Sequence, residues 1–324
     1  MGQRAEQLLG VFPVQARIGN GHAVLRLHAR HQLLVAFLEV RFDHHAEDRT
    51  AAGRDLAARL IDGADVLIEN FRPGTLEKWG LGPERFTDSN GKVQVATHDR
   101  YGPVPFWDTG RNQIVLLALM EPDVVQDIMQ SEYEMAQEKG YMNTSFHGDN
   151  AVFLYLGAWK RGIPFDYAGV WPYLRKNATD PKGPRDYLAE YDRQGWIADI
   201  MPQGNPSPPY AGGKAGAATT LEYAWDDHAL ADYAARLGKT EDQRRFLQRA
   251  GNYAHVFDHS TGFVRGRTAD GKWIAPFDPQ EPYYNFMMKE ASGWSTLWLA
   301  PHDVKGLMTL LGGREAFNAK LDAF

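Results

Sequence analysis

The chain has 324 residues, of which 44% are hydrophobic and 23% charged, and these are the proportions of one or two ordinary globular domains rather than of a disordered or fibrous chain. Its formal net charge of −6 at pH 7 disfavours nucleic acid and anionic membranes as partners, because both attract basic surfaces. The sequence has no cysteine, which excludes disulfides, thiolate catalysis and thiolate metal ligands.

No stretch of the sequence is typical of a membrane span or of a targeting signal. Apolar runs such as residues 33–38 are far shorter than the roughly 20 residues that a membrane-spanning helix needs. The first 25 residues hold charged side chains and no uninterrupted apolar block, so they do not read as a secretory signal. The sequence therefore predicts no membrane contact and leaves the localisation of the protein open.

Residues 1–49 show no clear helical or strand period, and we expect an irregular leader there. Neutral imidazole is a good ligand for zinc, copper and nickel. The spacing of the histidines in this segment fits no ligand pattern, and the arginines between them would repel a cation, so we predict no metal site. The histidines are His22, His28, His31, His44 and His45.

Residues 50–90 are predicted to form a small αβα segment. Alanine, leucine and isoleucine recur at helical spacing over residues 51–61, and residues 64–68 read as a short buried strand. A turn follows at Pro73 and Gly74, after which Thr75 opens another short helix. Over about residues 50–87 the sequence, with ENFRPG at residues 69–74, resembles the family III CoA-transferases. The nucleophilic aspartate of that family has no counterpart here, so the resemblance implies a structural remnant without transferase activity.

Helical spacing of apolar residues dominates residues 91–324. It predicts a long helical segment over residues 111–137, with Pro122 starting a second helix because a proline at the first helical position loses no hydrogen bond. Helices are also predicted over residues 151–160 and 219–237, and Gly238 ends the latter as its C-terminal cap. Paired helices separated by loops rich in Gly, Pro, Trp and Tyr are typical of an α/α toroid whose rim loops bind sugars.

Four stretches of this part, in the same order, resemble glycoside hydrolase family 92, the calcium-dependent exo-acting α-mannosidases. The resemblance covers about residues 91–324 and implies a mainly α fold, a partial (α/α) six-hairpin toroid behind a small α/β N-terminal segment. It implies a glycosidase of class EC 3.2.1 that acts on mannose-containing glycans. The four stretches are FWDTGRNQ at 106–113, GGKAGAATTLEYAWDDHALADYAARLGK at 212–239, FVRGRTADGKWIAPFDP at 263–279 and EASGWSTLWLAPHDVKGLMTLLGG at 290–313.

The resemblance implies that Glu290 is the general acid. Hydrolysis with inversion needs two carboxyl groups about 6.5–9.5 Å apart, one to protonate the leaving oxygen and one to deprotonate water. When WSTLW at residues 294–298 is aligned with the WQYTW string of the family, Glu290 falls on the acid. The family has Gly-Asn after this glutamate where this chain has Ala-Ser-Gly, so the neighbouring backbone is altered. The alternative is an exposed glutamate at the start of a helix.

Trp107 and Asp108 resemble the tryptophan–aspartate pair with which the family holds the sugar. The indole would serve as a platform for the pyranose ring, and the carboxylate would accept hydrogen bonds from its hydroxyl groups. The alternative for Asp108 is an N-cap of a helix that starts near Thr109.

Three acidic residues of the helix predicted over 219–237 are further candidates for sugar binding. Glu222 and Asp226 share a face of that helix, with Asp227 beside them. Carboxylates so placed repel one another unless cations or hydrogen-bond donors compensate, so we expect Arg or Lys to pack against them. A structural and a functional role both remain open.

His302 and Asp303 precede another apolar helix, so Asp303 is expected either to cap that helix or to face the sugar at the rim. A further polar loop, His147 to Asp149, precedes the apolar run at residues 151–156. Asp149 is expected to cap the helix, and the alternative is a polar loop at the rim.

The general base and the calcium ligands of the family belong to elements that lie after the region matched by residues 310–313. No counterpart of them is recognisable in this sequence, nor is a self-contained calcium loop. We therefore expect an impaired α-mannosidase fragment that lacks its calcium ligands and associates with itself through exposed helix faces. The alternatives are an inactive mannoside-binding module and a chimeric gene product without function.

Overall fold

The computed structural model describes residues 98–144, 146–200 and 213–324 in full and the backbone of six strands between residues 11 and 95. The chain divides into two compact units, Met1–Arg100 and Tyr101–Phe324. The predicted boundaries were 1–49, 50–90 and 91–324, and these remain predictions. Among the described residues, none of the helices is long and apolar enough to cross a membrane.

In the first unit the described strands form a four-stranded sheet and a separate pair. The sheet has the order β1-β2-β3-β4, and β5 pairs with β6. Strands β1, β2 and β3 are antiparallel to one another, whereas β4 runs parallel to β3. The strands are β1 (Val11–Ile18), β2 (Gly21–Arg30), β3 (Leu33–Arg41), β4 (Val66–Glu69), β5 (Arg85–Thr87) and β6 (Val93–Val95).

The three strands within residues 11–41 differ from the irregular leader that the sequence was expected to form. A period of two is present in β2, where Ala23, Leu25 and Leu27 alternate with other residues, and that period is typical of a strand. The strand predicted at residues 64–68 is confirmed as β4. The helix at 51–61, the turn at Pro73 and the helix from Thr75 lie outside the described residues.

The second unit is mainly α-helical, as predicted. Consecutive helices pack as pairs, namely α2 with α3, α4 with α5, α7 with α8 and α10 with α11, and such pairs are the hairpins of the predicted partial (α/α) toroid. The helices are α1 (Phe106–Thr109), α2 (Gln113–Met120), α3 (Pro122–Lys139), α4 (Ala151–Lys160), α5 (Tyr167–Thr179), α6 (Leu188–Gln194), α7 (Gly216–Arg236), α8 (Thr240–Ala250), α9 (Gly293–Thr296), α10 (Val304–Leu310) and α11 (Arg314–Asp322). Strands β7 (Phe257–Asp258) and β8 (Phe263–Val264) form a short antiparallel pair.

Two local signals for helix ends, Pro122 and Gly238, are confirmed. Pro122 occupies the first turn of α3, where the missing N–H costs no hydrogen bond. Helix α4 spans the predicted residues, and α7 spans Gly216–Arg236 against the predicted 219–237. Gly238 follows α7 with a φ of +69°, a conformation that glycine adopts without strain.

Helix α7 connects two hydrophobic clusters of the second unit. Its C-terminal half packs with α3, α4 and α5, for example through Leu230 and Tyr233. Its N-terminal half packs with β7, β8 and the loop before α9, for example through Ala217 and Leu221. Most residues of α7 are therefore buried, including its acidic residues, and this burial places carboxyl groups inside the unit.

Candidate active site

Trp107 is anchored to a buried carboxylate of the central helix. It is the second residue of the four-residue helix α1 and is half-buried. Its indole Nε1 donates a hydrogen bond of 3.1 Å to Oε1 of Glu222 in α7. This contact fixes the plane of the indole, and it joins two of the residues that the sequence predicted for one site.

Arg111 completes this anchor, and the sequence analysis did not single it out. Its Nη2 donates to both carboxylate oxygens of Glu222, at 2.7 and 2.9 Å. Its guanidinium lies 5.5 Å from the ring centroid of Trp107 and 4.6 Å from that of Trp225, within the range of cation–π attraction. Arg111 lies one helical turn after Trp107 in the FWDTGRNQ stretch, and this spacing was the available signal.

An aromatic surface continues from Trp107 to Phe146. The two ring centroids are 5.1 Å apart, and Phe146 is 48% exposed, so its ring is open to solvent. Nζ of Lys289 lies 4.7 Å from the centroid of Phe146. Phe146 has a φ of +73°, which is a strained conformation for a residue with a bulky side chain.

Glu290 directly follows Lys289 and is exposed, with a φ of +48°. The predicted acid therefore lies one residue from the side chain that contacts the Phe146 ring. The alternative was an exposed glutamate at a helix start: the exposure is confirmed, but the helix start is wrong, because α9 begins at Gly293 and is capped by the side chain of Ser292. The general-acid role itself remains a prediction.

Burial and ion pairing act in opposite directions on Glu222. The residue is fully buried, and burial raises the pKa of its carboxyl above the ordinary value, while the guanidinium of Arg111 and the indole N–H of Trp107 lower it. The predicted packing of a cation against this residue is confirmed. A carboxylate held by these donors orients its neighbours rather than taking up protons from water.

Asp227 belongs to a buried ionic network with two arginines. Nη1 of Arg185 lies 2.7 Å from Oδ1 of Asp227, and Nε of Arg249 lies 2.7 Å from Oδ2. Nε of Arg185 also donates to Oδ2 of Asp149 at 2.8 Å. The side chain of Arg185 is completely buried, so Asp227 is an internal structural group. The expectation that Arg or Lys packs against the acids of α7 is confirmed for Glu222 and Asp227, whereas no described ion pair involves Asp226.

Asp149 was expected to cap the helix that follows it, and this expectation is wrong. The N-cap of α4 is Asn150, while the carboxylate of Asp149 is buried and bonded to Arg185 and to Nδ2 of Asn177. The reason is that Asp149 faces inward, towards the network, where a charged partner offsets the cost of burial.

Asp226 differs from its two acidic neighbours because none of its described contacts is an ion pair. Its Oδ2 accepts the backbone N–H of Asp149 at 2.7 Å, and its Oδ1 has no hydrogen-bond partner. Burial raises the pKa of Asp226 well above its ordinary value, and the carboxylates of Asp149 and Glu222 raise it further. The guanidinium of Arg185 acts in the opposite direction and lowers this pKa.

His147 is a buried polar residue beside this group that the sequence analysis did not select. Its ring lies 6.5 Å from that of Trp107, and Nε2 has no hydrogen-bond partner. Burial lowers the pKa of His147 to about 3, with help from the positive charges of Lys289 and Arg111. The imidazole is therefore neutral at physiological pH.

Asp303 caps α10, which was one of its two expected roles. It accepts the backbone N–H of Gly306 at 2.8 Å and the hydroxyl of Tyr253 at 2.7 Å. His302 is half-buried, and its Nε2 lies 3.0 Å from the carbonyl oxygen of Ala250. The structure gives both side chains internal partners, and no described contact joins them to Trp107.

Asp108 is exposed and lies inside α1. The alternative role as an N-cap is wrong, because the N-cap of α1 is Pro105 and that of α2 is Asn112. The carboxylate of Asp108 is free of the network that holds Glu222, so it remains a candidate ligand for sugar hydroxyl groups.

The acidic side chains described here do not fit a calcium site. Within the described residues, no group of three or more histidine and acidic side chains is placed to hold a metal ion. The buried carboxylates of Glu222, Asp149 and Asp227 are bonded to arginine, whereas calcium requires about 6–8 oxygen ligands. No chemical step is assigned to a metal here.

Comparison with known protein families gives a match that covers the whole second unit and the end of the first. The model of the "Glycosyl hydrolase family 92 catalytic domain" matches residues 70–324, so the match begins before the predicted start at residue 91. An "uncharacterized secreted glycosidase" of Arthroderma benhamiae is 31% identical over 130 residues, which are 32% of this chain and 16% of that protein.

Two solved structures from Bacteroides thetaiotaomicron share the fold. One is a family 92 α-mannosidase, with a TM-score of 0.64 and 23% sequence identity. The superposition covers 85% of this chain and 35% of the mannosidase chain. A family 92 inverting mannosidase has a TM-score of 0.63 at 23% identity and covers 94% of this chain and 51% of its own. The chain therefore spans about half or less of these relatives.

A different relationship is found for a short part of the chain. The succinyl-CoA–D-citramalate CoA-transferase of Chloroflexus aurantiacus is 58% identical over 58 residues, which are 17% of this chain and 14% of that protein. The formyl-CoA:oxalate CoA-transferase of Rhodopseudomonas palustris is 36% identical over 62 residues. Both stretches are short, as was the CoA-transferase resemblance found from the sequence.

Proposed function

The chain belongs to glycosyl hydrolase family 92, and from this premise we propose that it carries the sugar-binding part of an exo-acting α-mannosidase that hydrolyses terminal α-mannosides with inversion. The substrates are mannose-containing glycans. The observation that carries the proposal is the anchor of Trp107, whose indole is held by Glu222 and Arg111 next to the open ring of Phe146. A rigid aromatic platform beside polar groups is what a pyranose ring requires.

In this proposal Glu290 protonates the leaving oxygen, and Asp108 accepts hydrogen bonds from hydroxyl groups of the sugar. The position of Glu290 next to Lys289, which contacts Phe146, supports the first role. His147 and Asp226 lie buried beside the platform, each with an unpartnered polar atom. The imidazole of His147, whose pKa is lowered to about 3, adds no positive charge to this part of the site at neutral pH.

We propose that turnover by this chain is slow. Glu222, the carboxylate in contact with Trp107, is held by two donors and is not available to deprotonate water. Absence of an effective general base lowers the rate by about 10²–10⁴-fold. The product anomer still reports the mechanism, because inversion yields the β-anomer of mannose first.

The test is release of aglycone from an alkyl α-mannoside, whose alkoxide leaving group must be protonated, at high enzyme concentration, with and without calcium and with a chelator. We expect slow release that falls at least about 100-fold in Glu290→Gln, because the acid is lost. Glu315→Gln, an exposed glutamate of α11, is the matched control and should not change the rate. Equal rates in Glu290→Gln and the unchanged chain would refute the acid role.

A second candidate function is binding of mannosides without hydrolysis. The open aromatic surface of Trp107 and Phe146 favours it, since that surface needs no general base. Titration with mannobiose should then give a tryptophan fluorescence change that disappears in Trp107→Ala. Saturable binding without aglycone release would support this function over the first, and absence of both would contradict the two together.

Self-association is part of the proposal and rests on helix α2. Leu116, Leu119 and Met120 are 57%, 69% and 68% exposed, and their spacing puts them on one face of the helix. Sedimentation at increasing protein concentration tests this. The apparent mass of the unchanged chain should rise with concentration, and Leu119→Glu should abolish this rise.

A further inference from the structure

The segment that leads into α1 is held at its backbone by three side chains. The N–H of Tyr101 donates to Oγ of Ser131 at 3.0 Å, and the N–H of Val104 donates to Oε1 of Glu132 at 2.7 Å. Nδ2 of Asn143 donates to the carbonyl oxygen of Val104 at 2.9 Å. Both backbone polar groups of Val104 are thus bonded to side chains that lie far away in sequence. We name these three side chains the α1 clamp.

Helix α1 depends on such support because it cannot be stable alone. It has four residues, and its N-cap, Pro105, provides no side-chain hydrogen bond. A helix of one turn does not form without tertiary contacts. Its described anchors are burial of Phe106, the α1 clamp before it, and the hydrogen bond of Trp107 to Glu222.

Pro105 makes the connection between the clamp and Trp107 stiff. Its ring restricts φ, and Val104 and Trp107 are separated only by Pro105 and Phe106. The carbonyl oxygen of Val104 also accepts the N–H of Phe106 at 2.9 Å. A displacement of Val104 therefore also displaces the indole of Trp107. The one hydrogen bond between this indole and Glu222 does not hold α1 in place by itself.

Glu132 is the central member of the clamp. It is only 1% exposed, and its Oε2 has no hydrogen-bond partner. It also lies within 3.4 Å of Nδ2 of Asn143, so one oxygen of Glu132 meets two donors. Loss of that oxygen removes the acceptor of the half-buried N–H of Val104, and loss of such a hydrogen bond weakens the hold on the segment.

We propose that Glu132 is a positioning residue for the sugar platform: through the backbone of Val104 it sets the place from which Trp107 reaches Glu222. The proposal rests on the proposed function only for the statement that Trp107 binds sugar. Burial raises the pKa of Glu132 to about 7, so the group is partly protonated at neutral pH and a neutral amide is a fair substitute for it.

The test follows the indole N–H of Trp107 by ¹⁵N NMR, with its signal identified by its absence in Trp107→Phe. In Glu132→Ala we expect a shift of this signal and hydrogen exchange at least about tenfold faster, as loss of one hydrogen bond implies. The other tryptophan indoles serve as internal references. Glu132→Gln keeps Oε1 as an acceptor and should leave the exchange rate within about twofold of the unchanged chain.

Asp166→Ala is the matched control. Asp166 caps α5 through the N–H of Gly169 at 2.9 Å, so its loss also lowers stability without touching the clamp. It should leave the Trp107 signal in place. Equal acceleration in Asp166→Ala and Glu132→Ala, or none in a folded Glu132→Ala, would overturn the proposal.

If Glu132→Ala does not fold, Asn143→Ala removes the carbonyl side of the clamp and should shift the same signal; an unmoved signal there would also overturn the proposal.

Mannobiose titration separates the proposal from the proposed function. If the unchanged chain binds no mannobiose, the proposed function fails, while the indole measurement still decides the role of Glu132. If it binds, Glu132→Ala should weaken binding about tenfold and Glu132→Gln should restore it.

Discussion

Arg185 shows at the scale of one residue how the acids of α7 are accommodated. Its side chain is completely buried and joins Asp149 to Asp227. The guanidinium also contacts the face of the Tyr223 ring, 4.9 Å from its centroid. Two carboxylates buried without such a cation would carry a large desolvation cost. Arg185 therefore stabilises the interior of the unit. None of its contacts described here is with Trp107.

We predict that Arg185→Met lowers the free energy of unfolding by about 3–5 kcal/mol, since removal of one member of a buried ion pair leaves the others uncompensated. Urea unfolding followed by circular dichroism measures this. Arg175→Met is the control, because Arg175 pairs with Asp242 at the surface and such a pair contributes about 0–1 kcal/mol. Similar losses in both variants would contradict the prediction.

The pairings of these residues could not be read from the sequence. The closeness of Glu222, Asp226 and Asp227 on one helix predicted that these acids would need cations, and this is confirmed for Glu222 and Asp227. The partners, however, lie 111 residues away for Arg111 and 42 for Arg185. Local pattern carries no information on contacts of such separation. The same limit explains why Asp149 was assigned to a cap.

At the scale of elements, short helices are held by specific end contacts. Asp303 is the N-cap of helix α10. Its carboxylate accepts hydrogen bonds from the N–H of Gly306 and from the hydroxyl of Tyr253. Helix α9 has a capping box between Ser292 and Ser295. Such ends were partly predictable, because Asp before an apolar helix is a strong N-cap signal, while the contact with Tyr253 was not.

We predict that Asp303→Ala lowers the free energy of unfolding by about 1–2 kcal/mol, because both the cap and the tyrosine bond are lost. Asp303→Asn keeps an oxygen acceptor and should lose less than half as much. Thermal unfolding measures both variants. If Asp303→Ala instead abolished mannobiose binding at unchanged stability, the residue would be a sugar ligand and the structural role would be wrong.

At the scale of the molecule, buried titratable groups make stability depend on pH in opposing ways. Burial raises the pKa of Glu132 from 4.5 to about 7, so the folded state binds that proton more tightly, and the contribution is complete below pH 4.5 and lost as the pH rises towards 7. His147, whose pKa is lowered to about 3, acts in the other direction. Only a difference between variants isolates either group.

We predict that Glu132→Gln gains stability relative to the unchanged chain as the pH rises from 4.5 to 7, by up to about 3 kcal/mol, since one pKa unit corresponds to about 1.4 kcal/mol. Urea midpoints at several pH values measure the difference. The glutamine variant lacks the titration, whereas Glu134→Gln, a half-buried neighbour on α3, should track the unchanged chain. A difference that stays constant with pH would contradict the assignment.

Because α7 supplies side chains to both hydrophobic clusters, neither cluster can melt while the other stays intact. A calorimeter would record the second unit as one cooperative peak. A sugar bound at Trp107 would then protect amide protons as far away as the loop before α9. The reason is that Glu222, which accepts the indole hydrogen bond of Trp107, lies in the N-terminal half of α7.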